Sequence, residues 1–224
     1  MRKTRTSSYI IVFVIIIILG IIIAVCNLPS NANTQYSPEE AEEILNNAST
    51  IEVRQKFSIG KYYEIYVNDE MIATVQGKAV HLLGDTFTMY SSDGSVMGSE
   101  QEEILHLNNQ AVFRDKDGKE VFHMSSKLIS IGIKLDLFDT NGELIGKSEQ
   151  EVLHLLRKDN YYNSMGELIY QSNKNLSIMG SYNIDRVSDN EDTLGAKNVV
   201  FLNCIEDALD SSNSSNNNNN STSN

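Results

Sequence analysis

The chain has 224 residues, which is enough for one domain of ordinary size with extensions. It contains 18 Lys and Arg residues against 30 Asp and Glu residues, and its formal net charge is −12. Such an acidic surface repels the phosphates of nucleic acids and is a poor match for anionic lipid headgroups, so no nucleic acid is expected as a partner.

The first predicted element is a transmembrane helix at residues 9–28. Residues 10–26 are an unbroken apolar run, and with its margins this run is just long enough to cross a bilayer as a helix. A cleaved signal peptide is the alternative interpretation, for which Ser30-Asn31-Ala32 would be a weak cleavage site. The sequence therefore predicts the cell membrane as a partner, through this N-terminal helix.

The charges on either side of the apolar run predict its orientation. Residues 1–8 contain the basic residues Arg2, Lys3 and Arg5, and the next Lys or Arg in the chain is Arg54. Because positive charge stays on the cytoplasmic side of a membrane helix, residues 1–8 are expected in the cytoplasm. The large domain is then expected outside the cell membrane, on a single-pass anchor.

Residues 29–50 are expected to form a linker and a short stalk helix. Ser37 suits the N-cap, Pro38 suits the first helical position, and Glu40 would complete a capping box. The apolar residues of this segment lie on one stripe and predict packing on the following domain: Ala41, Ile44, Leu45 and Ala48.

A repeat of 24 residues dominates the domain predicted at residues 51–210. Asx-Gly between apolar runs is typical of a two-residue type I′ hairpin turn, in which both central residues have positive φ. A fixed period indicates one supersecondary unit copied along the chain, here with two strands per copy. With a lead strand near Tyr62–Val67, the array predicts ten to twelve antiparallel strands. The turn glycines that mark the period are Gly94, Gly118, Gly142 and Gly166.

A meander of this length exposes edge strands unless it closes, so the predicted fold is all-β, a closed antiparallel barrel of about twelve strands. The lumen of such a barrel is wider than its own side chains can fill. Residues 198–209 are apolar nearly all round and too short to cross a bilayer, which predicts a central hydrophobic helix. The Asn- and Ser-rich residues 211–224 are predicted to be a disordered tail. The structural residues expected on the central helix are Val200, Phe201, Leu202 and Ile205.

Several short stretches within about residues 57–210 carry a family resemblance. They are Val75-Gln76-Gly77-Lys78, Phe87-Thr88-Met89-Tyr90 with Asp93-Gly94, Lys134-Leu135-Asp136-Leu137-Phe138-Asp139 with Asn141-Gly142, and Gly180-Ser181-Tyr182-Asn183-Ile184. Together with the hairpin array and the hydrophobic helix, they resemble the tubby C-terminal-like superfamily, and within it the LURP-one-related proteins and their bacterial relatives. The resemblance implies a twelve-stranded barrel around a central helix.

The same superfamily includes phospholipid scramblases and the phosphoinositide-binding tubby domains. No cluster of Lys and Arg that would hold a phosphoinositide is found in this sequence, and no cysteine cluster for lipidation. The resemblance therefore favours a membrane-anchored, non-enzymatic binding or structural domain whose protein or lipid ligand is unknown. The alternatives are a scramblase-like or phospholipid-binding protein and, with less support, a cell-envelope enzyme.

Two Glu-x-x-His pairs have the spacing of metal ligands in helical bundles, Glu103 with His106 and Glu151 with His154. Both pairs fall at the same position of the repeat, on predicted strands. Residues three apart on a strand point to opposite faces, so duplication explains these pairs better than a metal site. The sequence predicts no catalytic residue, no metal and no cofactor.

Overall fold

The computed structural model describes residues 35–58, 60–77, 86–103, 110–129, 132–153, 156–175 and 180–219. The transmembrane helix predicted at residues 9–28, and with it the predicted orientation, lies outside these ranges. Among the residues that are described, no helix combines the length and the apolar character needed to cross a membrane.

Twelve antiparallel strands within the described ranges form one closed barrel, in which each strand is hydrogen-bonded to its neighbours in the chain and the first strand to the last. This confirms the predicted closed barrel of about twelve strands followed by a C-terminal helix. The strands are β1 (Thr50–Gln55), β2 (Tyr62–Val67), β3 (Glu70–Gly77), β4 (Thr86–Ser91), β5 (Val96–Glu103), β6 (Gln110–Asp115), β7 (Glu120–Ile129), β8 (Gly132–Asp139), β9 (Leu144–Leu153), β10 (Leu156–Asn163), β11 (Leu168–Asn175) and β12 (Ser181–Arg186).

Five hairpin turns connect these strands at one end of the barrel, which is called the turn end below. It contains residues 68–69, 92–95, 116–119, 140–143 and 164–167. The opposite end of the barrel, where β1, β3, β5, β7, β9 and β11 end, is called the loop end.

The turns follow the predicted period, but the predicted turn type is wrong for the four that contain glycine. Their glycines have φ between 78° and 89°, whereas Asn68 and Asp69 are the non-glycine residues with positive φ in the described part of the chain. In each of the four, the glycine N–H donates to a carbonyl three residues earlier, as Gly118 does to Asp115 at 3.1 Å. These are four-residue turns of type I that end in a left-handed glycine.

The side chain that opens three of these turns explains the longer form, whereas in the turn after Ser91 Oδ1 of Asp93 accepts the backbone N–H of Ser95 at 2.8 Å. Oδ1 of Asp115 accepts hydrogen bonds from the backbone N–H groups of Asp117 and Lys119, both at 2.9 Å. Asp139 and Asn163 accept the corresponding pairs of bonds in their own turns. An Asx side chain at this position satisfies two N–H groups that a two-residue turn would not present.

Helix α1 (Pro38–Asn47) begins as the sequence predicts. Oγ of Ser37 accepts a bond from the backbone N–H of Glu40 at 3.3 Å, and Oε2 of Glu40 accepts one from the N–H of Ser37 at 2.8 Å, which forms a capping box. Ala41 and Leu45 are buried against the barrel, as the apolar stripe predicts.

Helix α1 lies across the turn end. The preceding residue Tyr36 donates its backbone N–H to Oγ of Ser92 at 2.9 Å, and Glu39 forms a salt bridge with Lys116. At the other end of α1, Oδ1 of Asn46 accepts a 3.2 Å bond from the backbone N–H of Ala196, where the C-terminal helix begins. The stalk helix is thus part of the folded domain.

Helix α2 (Ala196–Asn219) passes from the turn end into the lumen of the barrel. All ten residues from Val199 to Ala208 are at most 7% exposed, and ten residues cover every side of a helix. Val200, Phe201, Leu202 and Ile205 belong to the hydrophobic core, where the ring of Phe201 meets that of Phe113 on β6 edge-to-face at 5.6 Å.

Helix α2 is longer than predicted. It includes residues 211–219, which the sequence assigned to a disordered tail, while residues 220–224 lie outside the described ranges. The low hydrophobicity of this segment argues against its burial. It can still be helical, because it extends a helix that is already formed in the barrel and the costly nucleation step is not repeated. Each added residue then gains one backbone hydrogen bond.

Candidate functional site

Polar side chains collect inside the barrel on the strands of its C-terminal half. On β10, Arg157, Asp159 and Tyr161 alternate along the strand, and all three are buried. Across the sheet, Tyr161 is paired with Ser148 of β9 and Asp159 with Ser172 of β11, and both serines are completely buried. The inner wall is therefore polar here, although it is apolar on β1, β4 and β6.

Helix α2 presents matching polar side chains to this wall. Asn203, Glu206 and Asp207 are spaced at i, i+3 and i+4, which places them on neighbouring sides of a helix, and each is at most 1% exposed. We call the following residues the lumen cluster: Tyr63, Ser148, Arg157, Asp159, Tyr161, Ser172, Lys174, Tyr182, Asn203, Glu206 and Asp207.

Glu206 lies among hydroxyl groups. Its Oε1 accepts a hydrogen bond from Oγ of Ser148 and its Oε2 accepts one from the hydroxyl of Tyr161 at 2.8 Å, while Nη2 of Arg157 is 3.6 Å away from Oε2. Complete burial, and then the negative charge of Asp159, raise the pKa of Glu206 to about 8. At neutral pH this side chain is therefore mainly a neutral carboxylic acid.

Asp207 is in a different electrostatic position. It accepts hydrogen bonds from the hydroxyls of Tyr63, at 2.9 Å, and Tyr182, and Nζ of Lys174 is 3.2 Å from its Oδ1. Burial would raise the pKa of Asp207, but the bond from Tyr182 and the charge of Lys174 outweigh it and lower the pKa. Asp207 is a carboxylate held by donors on three strands.

Arg157 and Asp159 form the buried ion pair of the cluster. Nε of Arg157 lies 2.9 Å from Oδ1 and 3.0 Å from Oδ2 of Asp159. Burial disfavours the guanidinium charge, but the negative charge of Asp159 holds the pKa of Arg157 well above its usual range. With Glu206 neutral, the two cations Arg157 and Lys174 balance the two carboxylates of Asp159 and Asp207.

Most of the cluster is buried, which limits its chemistry. Of its side chains, Lys174 is the one with substantial exposure, at 35%. Asn203 donates through Nδ2 to Oγ of Ser172 at 2.8 Å and to Oδ2 of Asp159 at 3.3 Å, while its Oδ1 has no donor among the described residues. Cys204 is also completely buried, and burial raises the pKa of its thiol, so it is not a poised nucleophile. The arrangement is suited to fixing the helix in the barrel.

The residues singled out from the sequence lie elsewhere. Gly94, Gly118, Gly142 and Gly166 are at the turn end, and Val200, Phe201, Leu202 and Ile205 are in the apolar core. His106 and His154 lie outside the described residues, while Glu151 is exposed and accepts a 2.8 Å bond from Asn160. Among the residues that the structure describes, no group of three or more His, Cys, Asp and Glu side chains is arranged to hold a metal.

Sequence reasoning missed the lumen cluster. The available signal was the spacing of Asn203, Glu206 and Asp207 within an otherwise apolar helix. A buried helix carries polar residues at such a spacing only where the wall supplies partners.

No family model matches the chain, and neither a curated protein nor a solved structure matches it. The tubby-like resemblance rests on the sequence stretches given above.

Proposed function

We propose that this protein is a membrane-anchored, non-enzymatic binding or structural domain of the LURP-one-related type within the tubby C-terminal-like superfamily. The observation that supports this most is the filled lumen. Helix α2 occupies it, and within the part of the chain that the structure describes the polar groups of the lumen cluster bond chiefly to one another. A barrel built in this way is a rigid support for surfaces on its outside.

The proposed anchor fixes which end of the barrel faces the membrane. Tyr36 is held at the turn end by Ser92 and Asp93, with bonds of 2.9 Å and 3.3 Å. Residues 29–35 connect it to the proposed membrane helix, and seven residues reach at most about 25 Å when fully extended. The turn end and α1 then face the bilayer, and the loop end faces away from it.

The charge of the turn end argues against a direct contact with anionic lipid. Lys116 and Lys197 pair with two carboxylates there, but acidic residues outnumber basic ones on α1 and the turns. The carboxylates include Glu39, Glu42, Glu43, Asp69, Asp93 and Asp117. Negative headgroups repel such a surface within about 8 Å at physiological salt. This favours the structural or binding role over the scramblase-like or phospholipid-binding alternative.

The anchor is tested by protease treatment of intact cells that produce the full chain. The expected result is digestion of the domain from outside, with residues 1–8 protected and Met1 present on the mature protein by mass spectrometry. Digestion only after lysis would reverse the orientation. A mature N-terminus just after Ala32 would replace the anchor with a cleaved signal peptide.

The lipid alternative needs a separate test. A chain that begins at residue 29, once a cooperative thermal transition shows that it is folded, is sedimented with vesicles of phosphatidylcholine with and without phosphatidylglycerol or phosphoinositide. We expect the protein to stay in the supernatant in every case. Salt-sensitive binding to the anionic vesicles would favour lipid handling and contradict the proposed role.

A further inference from the structure

A cavity of about 120 Å³ lies at the turn end, between the first turns of α2 and strands β4 to β7. It is separate from the lumen cluster, whose side chains belong to β2, to β9 to β12 and to a later part of α2. The floor of the cavity consists of five apolar side chains, each at most 3% exposed: Met89, Met97, Phe113, Phe122 and Phe201.

The floor presents ring faces, ring edges and thioethers. Phe113 stacks on Phe122 with the ring centroids 4.2 Å apart and the planes 15° from parallel, and it meets Phe201 at 89°. A further aromatic ring in such surroundings gains edge-to-face contacts with these rings. Methionine sulfur also contacts aromatic rings favourably, and the flexible side chains of Met89 and Met97 adapt to a guest.

The mouth of the cavity is polar and balanced in charge. Glu42 of α1 and Lys197 of α2 form a 2.7 Å salt bridge across it, and Arg114 and Asp115 add one charge of each sign. Val121, also at the cavity, is 45% exposed, which leaves the mouth open towards solvent. A charged ligand would lose its hydration on entering the cavity. Its attraction to the opposite charges at the mouth would be offset by repulsion from the like charges beside them. A neutral guest with one hydroxyl or amide avoids this cost.

We propose that this cavity binds a neutral, single-ring aromatic molecule, with the ring on the Met and Phe floor and one polar substituent at the mouth. An apolar cavity of about 150 Å³ takes up benzene; this one, at about 120 Å³, is somewhat smaller but open at its mouth, so it has room for one ring whose polar substituent stays outside.

The test is a titration of the full-length chain in detergent micelles, labelled with ¹³C at the methionine methyl groups, with p-cresol. The expected result is a saturable shift of the methyl signals of Met89 and Met97, with no shift of Met165, which is 63% exposed at the turn end. Equal shifts at all methionines, or none at Met89 and Met97, would overturn the proposal.

Comparison ligands test the proposed chemical class. We expect 4-methylcyclohexanol to bind at least tenfold more weakly than p-cresol, because it lacks the ring. The charged 4-methylbenzoate and 4-methylbenzylammonium, and the two-ring 2-naphthol, should also bind at least tenfold more weakly. A tighter complex with any of these would show that the cavity selects a different class of ligand.

Two matched substitutions locate the binding. Met97→Trp fills the cavity and should weaken binding of p-cresol at least tenfold, while Met165→Trp makes the same change on the surface and should leave it unaltered. Should Met97→Trp fail to fold, nuclear Overhauser contacts between the p-cresol ring and the Met89 methyl of the unaltered chain decide the question. Their absence at saturating ligand would contradict the proposal.

Discussion

Tyr161 on β10 donates a 2.8 Å hydrogen bond to Oε2 of Glu206 on α2, and both side chains are completely buried. The bond joins the barrel wall to the helix inside it. Rotation of the helix by one residue, about 100°, would remove Glu206 from Tyr161 and Ser148 and leave polar groups unsatisfied in the core. The lumen cluster therefore selects one rotational setting of α2, which apolar contacts alone would specify less well.

The first prediction concerns stability and pH. The pKa of Glu206 is about 8 in the folded protein, and its ordinary value is 4.5. Between these values the folded state holds a proton that the unfolded state has lost, so the contribution of Glu206 to the free energy of unfolding falls as pH rises. The contribution is complete below about pH 4.5, and its slope in this window is about 1.4 kcal/mol per pH unit.

Glu206→Gln replaces the neutral acid with a neutral amide and should remove this slope. Urea unfolding at pH 5, 6, 7 and 8 compares the variant with the unaltered chain, and the expected difference in stability grows in favour of the variant towards pH 8. Asp207 does not obscure the result, because its lowered pKa makes its contribution fall only below its ordinary value of 3.8. Parallel pH profiles for the two proteins would show that Glu206 is ionised in the folded state.

A second prediction tests the amide in the cluster. Asn203→Ala removes the donor to Ser172, Asp159 and Tyr161, so we expect a loss of about 1–3 kcal/mol in the free energy of unfolding. Asn175→Ala is the matched control on β11, because its amide bonds only exposed partners and its loss should be about 0.5 kcal/mol or less. Equal losses in urea unfolding would mean that the Asn203 bonds contribute nothing beyond those of a surface amide.

The sequence predicts the barrel well because its strongest signals are local and repeated. Phe87, Met89, Ala111 and Phe113 recur at one repeat interval and all four are buried, so period and alternation together give the strand number and the inward face. The capping box at Ser37 and Glu40 is equally local.

The lumen cluster could not be derived in the same way. Whether Arg157 faces Glu206 depends on which strand stands beside which side of α2, and that relation involves residues about fifty positions apart. The turn type was missed for a different reason. The pair Asp117-Gly118 suits a two-residue turn, and the competing signal was Asp115, three residues before the glycine, whose side chain stabilises the longer loop.

A third prediction separates backbone strain from packing at two glycines. Gly142 has φ of 85°, and a Cβ added there would meet no atom within 4 Å, so Gly142→Ala should cost about 1–2 kcal/mol through strain alone. Gly142→Asn should cost less, because asparagine tolerates this conformation. Gly146→Ala should cost more, since the added Cβ would collide with Leu194 and lie 2.7 Å from the carbonyl oxygen of Tyr162. Thermal unfolding of the three variants gives the order, and a Gly142→Asn protein less stable than Gly142→Ala would contradict the turn assignment.

The fourth prediction tests whether α2 holds the barrel together. Phe201 is 3% exposed in the core, and Phe201→Asp would place a carboxylate among apolar side chains, at a cost of several kcal/mol. Because several kcal/mol is a large fraction of the about 5–15 kcal/mol by which single domains are stable, we expect the thermal transition of this protein to fall by roughly 10 °C or more. Phe57→Asp makes the same chemical change at a residue that is 59% exposed and should leave the thermal transition within a few degrees of the unaltered chain. Circular dichroism and urea unfolding of both variants supply the comparison. If the two variants have the same thermal transition temperature, α2 does not occupy the lumen. The lumen cluster and the cavity at the turn end would then both be contradicted, because each includes side chains of α2.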